Sequence, residues 1–288
     1  MPVERIVGRD LLRCHVGGGH ELVKRNLGNG HVECRVVPIK TWEFVAELSD
    51  QAYADRLAEL EATAEERKQA NLERAAMRAK QRVRHLCKAR GYDTLLTLTY
   101  QANMTDRPTL LRHMQEFNRR MKALIPDWSY AAAYERQKRG AWHVHLAVRR
   151  LPSELLSKGG IKVKSFNVVR AVWRSITSEL GGNIDVQARK RNSSRAPSKI
   201  AAYLSKYMVK AFEDGEPWSN RYSASKGEPV PKPERIRFLG YTLCDVTALS
   251  LDDVVTSCAG QLSMGLNRWK DSIWWILDTN IRPRWGGT

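Results

Sequence analysis

Cysteine is scarce in this sequence, and the thiols present do not pair by spacing: Cys14, Cys34, Cys87, Cys244 and Cys258 form no CxxC unit. Such a set argues against a disulfide framework and for a reducing compartment, the cytoplasm. Long apolar runs are also missing. The longest are short stretches such as Ile273 to Leu277, well under the length that crosses a bilayer. The N-terminus, Met1-Pro-Val-Glu-Arg-Ile-Val7, has no apolar core of the kind a secretory signal needs. No G-x-x-x-x-G-K-[ST] occurs, so a built-in P-loop motor is not expected. Acids are in deficit: 31 Asp and Glu stand against 48 Lys and Arg, a net charge of +17. That excess calls for a polyanionic partner, and with no lipidation motif nucleic acid is favoured over a membrane surface. The 42% hydrophobic and 27% charged fractions are those of a globular chain, and 288 residues allow one or two domains with a full core.

Glycine and proline are absent from Glu43 to Arg90, where Ala, Leu, Glu, Arg, Lys and Gln dominate. This composition predicts a long charged helix over 46–90, with Ser49-Asp50 as an N-cap pair where it is broken. Asp55, Glu59, Glu61, Glu65, Glu66 and Glu73 load its first half; Arg78, Lys80, Arg82, Arg84, Lys88 and Arg90 load its second. The pattern suits a solvated face that complements the helix dipole, or a basic rod along a phosphate backbone. Residues 1–45, rich in Gly and Val, read as a small β and loop segment. Residues 91–227 read as the main domain, and 228–288 as a tail carrying prolines and then Trp269, Trp274, Trp275 and Trp285.

Within 91–227 the pattern alternates. Asp93–Tyr100, Ser129–Glu135, Ala141–Arg149 and Asn183–Gln187 read as strands; Thr109–Ile125, Phe166–Leu180 and Ser198–Phe212 read as helices. The order β-α-β-β-α-β-α predicts an α+β fold: a central antiparallel sheet with helices packed on it, preceded by the long charged helix.

His143-Val-His145 lies inside one predicted strand, so both imidazoles share a face and Val144 takes the other. Two neutral imidazoles converging on one point make a metal site. Glu135 ends the preceding strand, and across a short hairpin loop it adds a hard oxygen ligand and leaves positions open for water or a phosphate oxygen. Surface pairing of Glu135 with Arg136 or Arg139 is the alternative. On the third helix Tyr203 and Tyr207 stand at i and i+4, with Lys206 and Lys210 bordering the same face. Core packing would also explain such a pair. A tyrosine that attacks phosphate needs cations or a metal beside it, since its ordinary pKa is about 10. Arg189, Lys190, Arg191, Arg195 and Lys199 precede or open this helix and, with Lys210 further along it, suit phosphate contacts with DNA.

Thr97-Leu-Thr-Tyr100, then Glu135-Arg-Gln-Lys-Arg-Gly-Ala-Trp-His-Val-His-Leu-Ala-Val148, then Tyr203-Leu-Ser-Lys206-Tyr207 occur in that order. The triple resembles the three-motif pattern of HUH endonucleases, the rolling-circle replication initiators of small single-stranded-DNA phages and plasmids. It is closest to the replication-associated proteins of filamentous phages, and it covers about Ala75 to Gly227. The resemblance implies an HUH endonuclease-like domain that nicks and joins single-stranded DNA at an origin. It implies His143 and His145, with Glu135 by position, as ligands of Mg²⁺ or Mn²⁺. It implies Tyr203 as the nucleophile that becomes linked to the 5′ end, Lys206 as part of the same motif, and Tyr207 as the second tyrosine of the two-tyrosine subgroup. The freed 3′ hydroxyl would prime a host polymerase in a bacterial cytoplasm. Many relatives carry a helicase domain that is not seen here, so a host helicase is the expected partner. A relaxase or transposase with the same chemistry, and a non-catalytic nucleic-acid-binding module, are the competing functions. A zinc site from Cys14, His15, His20, His31 and Cys34 fits no usual finger spacing.

Overall fold

Asn29 and Gly30 both take positive φ, 49° and 77°, the backbone that a two-residue hairpin turn requires. They join the two longest strands of the protein. A computed structural model describes residues 3–156, 159–188, 196–213, 222–227, 229–255 and 260–279. In chain order its elements begin β1 (Val3–Val7), β2 (Asp10–Gly28), β3 (His31–Glu47), α1 (Asp50–Ala62), α2 (Ala64–Ala89), β4 (Thr94–Tyr100), α3 (Arg107–Leu124), β5 (Tyr130–Arg136) and β6 (Trp142–Val148). They continue β7 (Glu154–Leu156), β8 (Lys162–Lys164), α4 (Ser165–Thr177), β9 (Gly182–Ala188), α5 (Ala196–Glu213), β10 (Tyr222–Ala224), β11 (Glu234–Leu239), α6 (Leu243–Val255), β12 (Gly260–Asn267) and β13 (Ser272–Thr279). The fold is α+β with antiparallel sheets, as the alternating pattern predicts.

The chain divides into two compact units, and the division falls at residue 73, inside α2. The first unit holds residues up to 73 and the stretch 231–281. Its sheet runs β1-β2-β3-β13-β12, with β11 also paired to β2. Val246 of α6 packs on Leu22, Cys34, Val36 and Trp275. The β2–β3 register shifts between Val16 and His20, where Gly17, Gly18 and Gly19 all hold positive φ. A Cβ on Gly19 would meet the Phe238 carbonyl oxygen at 2.1 Å, so only glycine lets β11 pass there.

Two expectations change in this unit. Residues 46 and 47 are strand, not helix: Leu11 pairs with Ala46 and Asp10 with Glu47, and this pairing overrides local helix propensity. The helix starts instead at Asp50, where the Ser49 side chain accepts a bond from the Ala52 N–H. The stretch 228–288, expected as a tail, supplies β11, β12 and β13 to the sheet begun by β2 and β3.

The second unit is built on the sheet β10-β5-β6-β4-β9, antiparallel throughout. On one face Leu96, Leu98, Ala132, Tyr134, Val144, Leu146 and Val148 meet Leu110, Met114, Phe117 and Met121 of α3 and Val169 and Trp173 of α4. Phe117 and Trp173 are fully buried, and each such side chain stabilises by roughly 1.5–3 kcal/mol. On the other face Leu95, Ala131, Ala133 and Ala147 meet Ala79, Val83 and Cys87 of α2 and Ile200, Ala201 and Leu204 of α5. The second half of α2 is therefore a packed element, which revises both readings of it, the solvated face and the basic rod along a phosphate backbone. Arg78, Lys80 and Arg82 are exposed, but Lys88 is buried, and Arg90 donates to Ser225 O and Oγ at 3.1 Å. No helix among the described residues is long and apolar enough to cross a membrane.

Candidate active site

Three strands and one helix position the predicted site residues. Glu135 stands directly opposite His143, and His145 lies between Ala133 and Thr97 of the neighbouring strands. The β5–β6 connection is tight: Gln137 N–H donates to Ala141 O at 2.9 Å, and Gly140 N–H to Gln137 O at 2.8 Å, with Gly140 at φ 90°. This turn sets the register that brings Glu135 to the histidines. Strand alternation puts His143 and His145 on the α5 face, and Val144 is buried in the core on the other.

The His145 Nε2 atom lies 3.0 Å from Glu135 Oε2, and the Thr97 hydroxyl is 3.2 Å from His145 Nδ1. His143 Nδ1 is 3.1 Å from the Gln137 side-chain amide. One ligand atom from each of Glu135, His143 and His145 falls within 4.8 Å of the others. A carboxylate and two imidazoles so grouped fit a divalent cation. Burial lowers both histidines from their ordinary pKa. For His143 the charges of His145 and Arg139 add to the fall, while Glu135 opposes it for both rings. Each imidazole is therefore favoured in the neutral form that ligates metal. The contacts of Thr97 and Gln137 orient the two rings, the usual task of groups behind metal ligands.

The helix brings the tyrosines to the same place. Ala131 and Ala133, fully buried on β5, let Ile200, Ala201 and Leu204 approach the sheet closely. The Tyr207 ring stacks on His145 with centroids 3.7 Å apart and planes at 14°. Tyr203 meets His145 edge-on at 6.4 Å, and the Tyr207 hydroxyl donates to the Tyr203 hydroxyl at 2.8 Å. The pKa of Tyr207 is raised, first by burial and then by that bond and the nearby Tyr203 and Glu135. Lys206 is exposed, its Nζ 5.9 Å from the centroid of the Tyr203 ring.

The structure thus gathers Glu135, His143, His145, Tyr203 and Tyr207, with Lys206 at the rim. Lys199 is exposed in the first turn of α5. Arg189, Lys190, Arg191 and Arg195 lie outside the described residues, as does the side chain of Lys210. The imagined Cys/His zinc set does not assemble: the Glu135, His143 and His145 group is the metal-type cluster among the described residues. His20 and His31 instead face Asp271 and Asp278 at 2.9 and 2.7 Å.

Sequence reasoning assigned no role to Thr97, Gln137 or the β5 alanines, though Thr97 opens a quoted motif. It also passed over Asn183, Asp185 and Gln187. These exposed residues alternate along β9, and Thr97 pairs with Asp185 and Thr99 with Asn183. They extend the metal-site face of the sheet by one polar strand.

Residues 93–212 match the family model of the replication-associated protein ORF2/G2P. The match runs from the residue before β4 to the last turn of α5, so it contains every residue of the cluster, and it is consistent with a rolling-circle replication initiator. No curated protein and no solved structure matches the chain.

Proposed function

We propose that this protein is a rolling-circle DNA replication initiator that nicks and rejoins single-stranded DNA at an origin through a 5′-phosphotyrosine link. The observation that carries the reading is the stacking of a two-tyrosine helix on a His/His/Glu cluster, within a segment that matches a replication-associated family.

Glu135, His143 and His145 would hold Mg²⁺ or Mn²⁺. The bound ion would supply Lewis-acid polarisation of a non-bridging phosphate oxygen. Tyr203 attacks the scissile phosphorus. A Tyr203 O–P bond forms and the P–O3′ bond breaks; the phenol proton passes to solvent, and the 3′ oxygen takes a proton from water and leaves as the primer hydroxyl. The Tyr207 proton is committed to the Tyr203 oxygen at 2.8 Å, and burial, which raises the pKa of Tyr207, keeps that proton in place. This asymmetry favours Tyr203 as the first nucleophile. Once Tyr203 is esterified its oxygen is a weaker acceptor, which removes one of the causes that hold the Tyr207 proton, and Tyr207 makes the second transfer that closes a circle. Thr97, Thr99, Asn183, Asp185 and Gln187 offer hydrogen bonds to the strand beside the cut.

Incubating the protein with labelled single-stranded DNA of its own replicon and Mg²⁺ or Mn²⁺ tests this reading. A protein–DNA adduct that survives boiling in detergent is expected. Binding without cleavage under every metal condition would leave the non-catalytic module as the better description.

A further inference from the structure

The first unit contains a cleft of about 1270 Å³ that the nuclease chemistry does not use. Arg35, Lys40, Arg237 and Lys270 line it, all exposed, together with the aromatic rings of Tyr241 and Trp269. Trp269 is 99% exposed and Tyr241 48%. The two acids of the lining are already engaged. Glu21 pairs with Arg235 at 2.7 Å and Arg237 at 3.6 Å, and Asp271 faces His20 at 2.9 Å. Gly17 and Gly18 present bare backbone, since a Cβ on either would meet nothing within 4 Å.

We infer that this cleft is a second binding site for single-stranded DNA, in which Trp269 and Tyr241 stack on bases while Lys40, Lys270 and Arg35 contact phosphates. Charge complementarity is the first ground: of the two acids of the lining Glu21 is paired with Arg237 and Asp271 with His20, which leaves Arg35, Lys40 and Lys270 to face an anion. The aromatics are the second. An indole held almost wholly in solvent beside cations is the combination that grips single strands without reading sequence. In a duplex the faces of the bases are already occupied, so stacking selects the single strand. The inference rests on DNA being the partner but not on the tyrosine chemistry, and its test is independent of nicking.

The full-length chain carrying His143→Ala, mixed with a 5-iodouracil-substituted single strand of about 40 nucleotides and irradiated, is to be digested and mapped by mass spectrometry. Crosslinks to Trp269 or Tyr241 are expected alongside those in the nuclease unit. In a second measurement, Lys40→Glu, Lys270→Glu and Trp269→Ala combined should weaken binding of the same strand at least tenfold. They should also flatten the salt dependence by about 1.4, two phosphates at roughly 0.7 each. Crosslinks confined to residues 74–230 would overturn the inference. So would an unchanged affinity in a triple variant whose circular dichroism matches the parent, or equal competition by duplex DNA.

Discussion

The two units differ sharply in where they keep their charge. Residues 74–230 carry 31 Lys and Arg against 12 Asp and Glu, whereas residues 1–73 and 231–281 carry 15 against 19. The positive excess of the whole chain therefore belongs to the unit that holds the tyrosines and the metal-type cluster. Seven of the acids of the first unit lie between Asp50 and Glu73, and α1 buries none of its residues. Net charge and local charge part company here: the first unit is acidic overall, yet the lining of its cleft is cationic. Bulk charge steers a polymer toward the protein, but contacts depend on which cations are exposed and unopposed.

The largest effects should fall in the basic unit. His143→Ala, Glu135→Ala and Tyr203→Phe should each lower nicking about a thousandfold or more, because residues that act as one unit fail together. DNA binding by gel shift should stay near the parent level, since phosphate contacts elsewhere carry affinity. Nicking by Glu135→Ala at the parent rate across a metal titration would remove that carboxylate from the site.

Next in size is the support behind the ligands. Thr97→Val removes the hydroxyl beside His145 Nδ1 and should lower metal affinity by about 10–100-fold, read as a rise in the Mn²⁺ concentration for half-maximal nicking. An unshifted titration would reduce Thr97 to a packing residue.

A paired experiment then separates the units. Ala133→Leu should push α5 off the sheet, costing about 1–3 kcal/mol and lowering nicking more than tenfold. Gly19→Ala should cost about 1–3 kcal/mol through its strained backbone and clash with Phe238, yet spare nicking of a short oligonucleotide. Equal losses of nicking in both would mean that the units are not separable in function.

The smallest effect concerns α2. Reversing the exposed Arg78, Lys80 and Arg82 should flatten the salt dependence of single-strand binding by at most about 0.7 per contact. Lys88→Ala should lower the melting temperature and leave the slope alone, because Lys88 is buried. A slope indifferent to the triple reversal returns the exposed cations to solvent.

How much of this was legible in advance follows from the range of each interaction. The His143 and His145 alternation, the Tyr203 and Tyr207 spacing and the short β5–β6 hairpin are local, so periodicity predicted the shared face of each pair; that the tyrosines stack on the histidines was an expectation from the resemblance to HUH endonucleases, not from spacing. The Asn29-Gly30 turn was local too, and its signal lay in the sequence unused. By contrast Trp275 pairs with Cys34, and Arg237 with Glu21, across more than 200 positions, and no local pattern encodes that register. The burial of Lys88 was hidden for a related reason: a helix declares its charged face, but what packs on it is decided elsewhere in the chain.

The most direct test of the account is the position of the covalent link. The parent protein, incubated with single-stranded origin DNA and Mn²⁺ and then digested with nuclease and protease, should yield a phosphotyrosine peptide at Tyr203 by mass spectrometry. Tyr203→Phe should move residual adduct to Tyr207, and EDTA or His143→Ala should abolish both. Cleaved DNA with no phosphotyrosine peptide, or a full adduct formed in EDTA, would contradict the central claim.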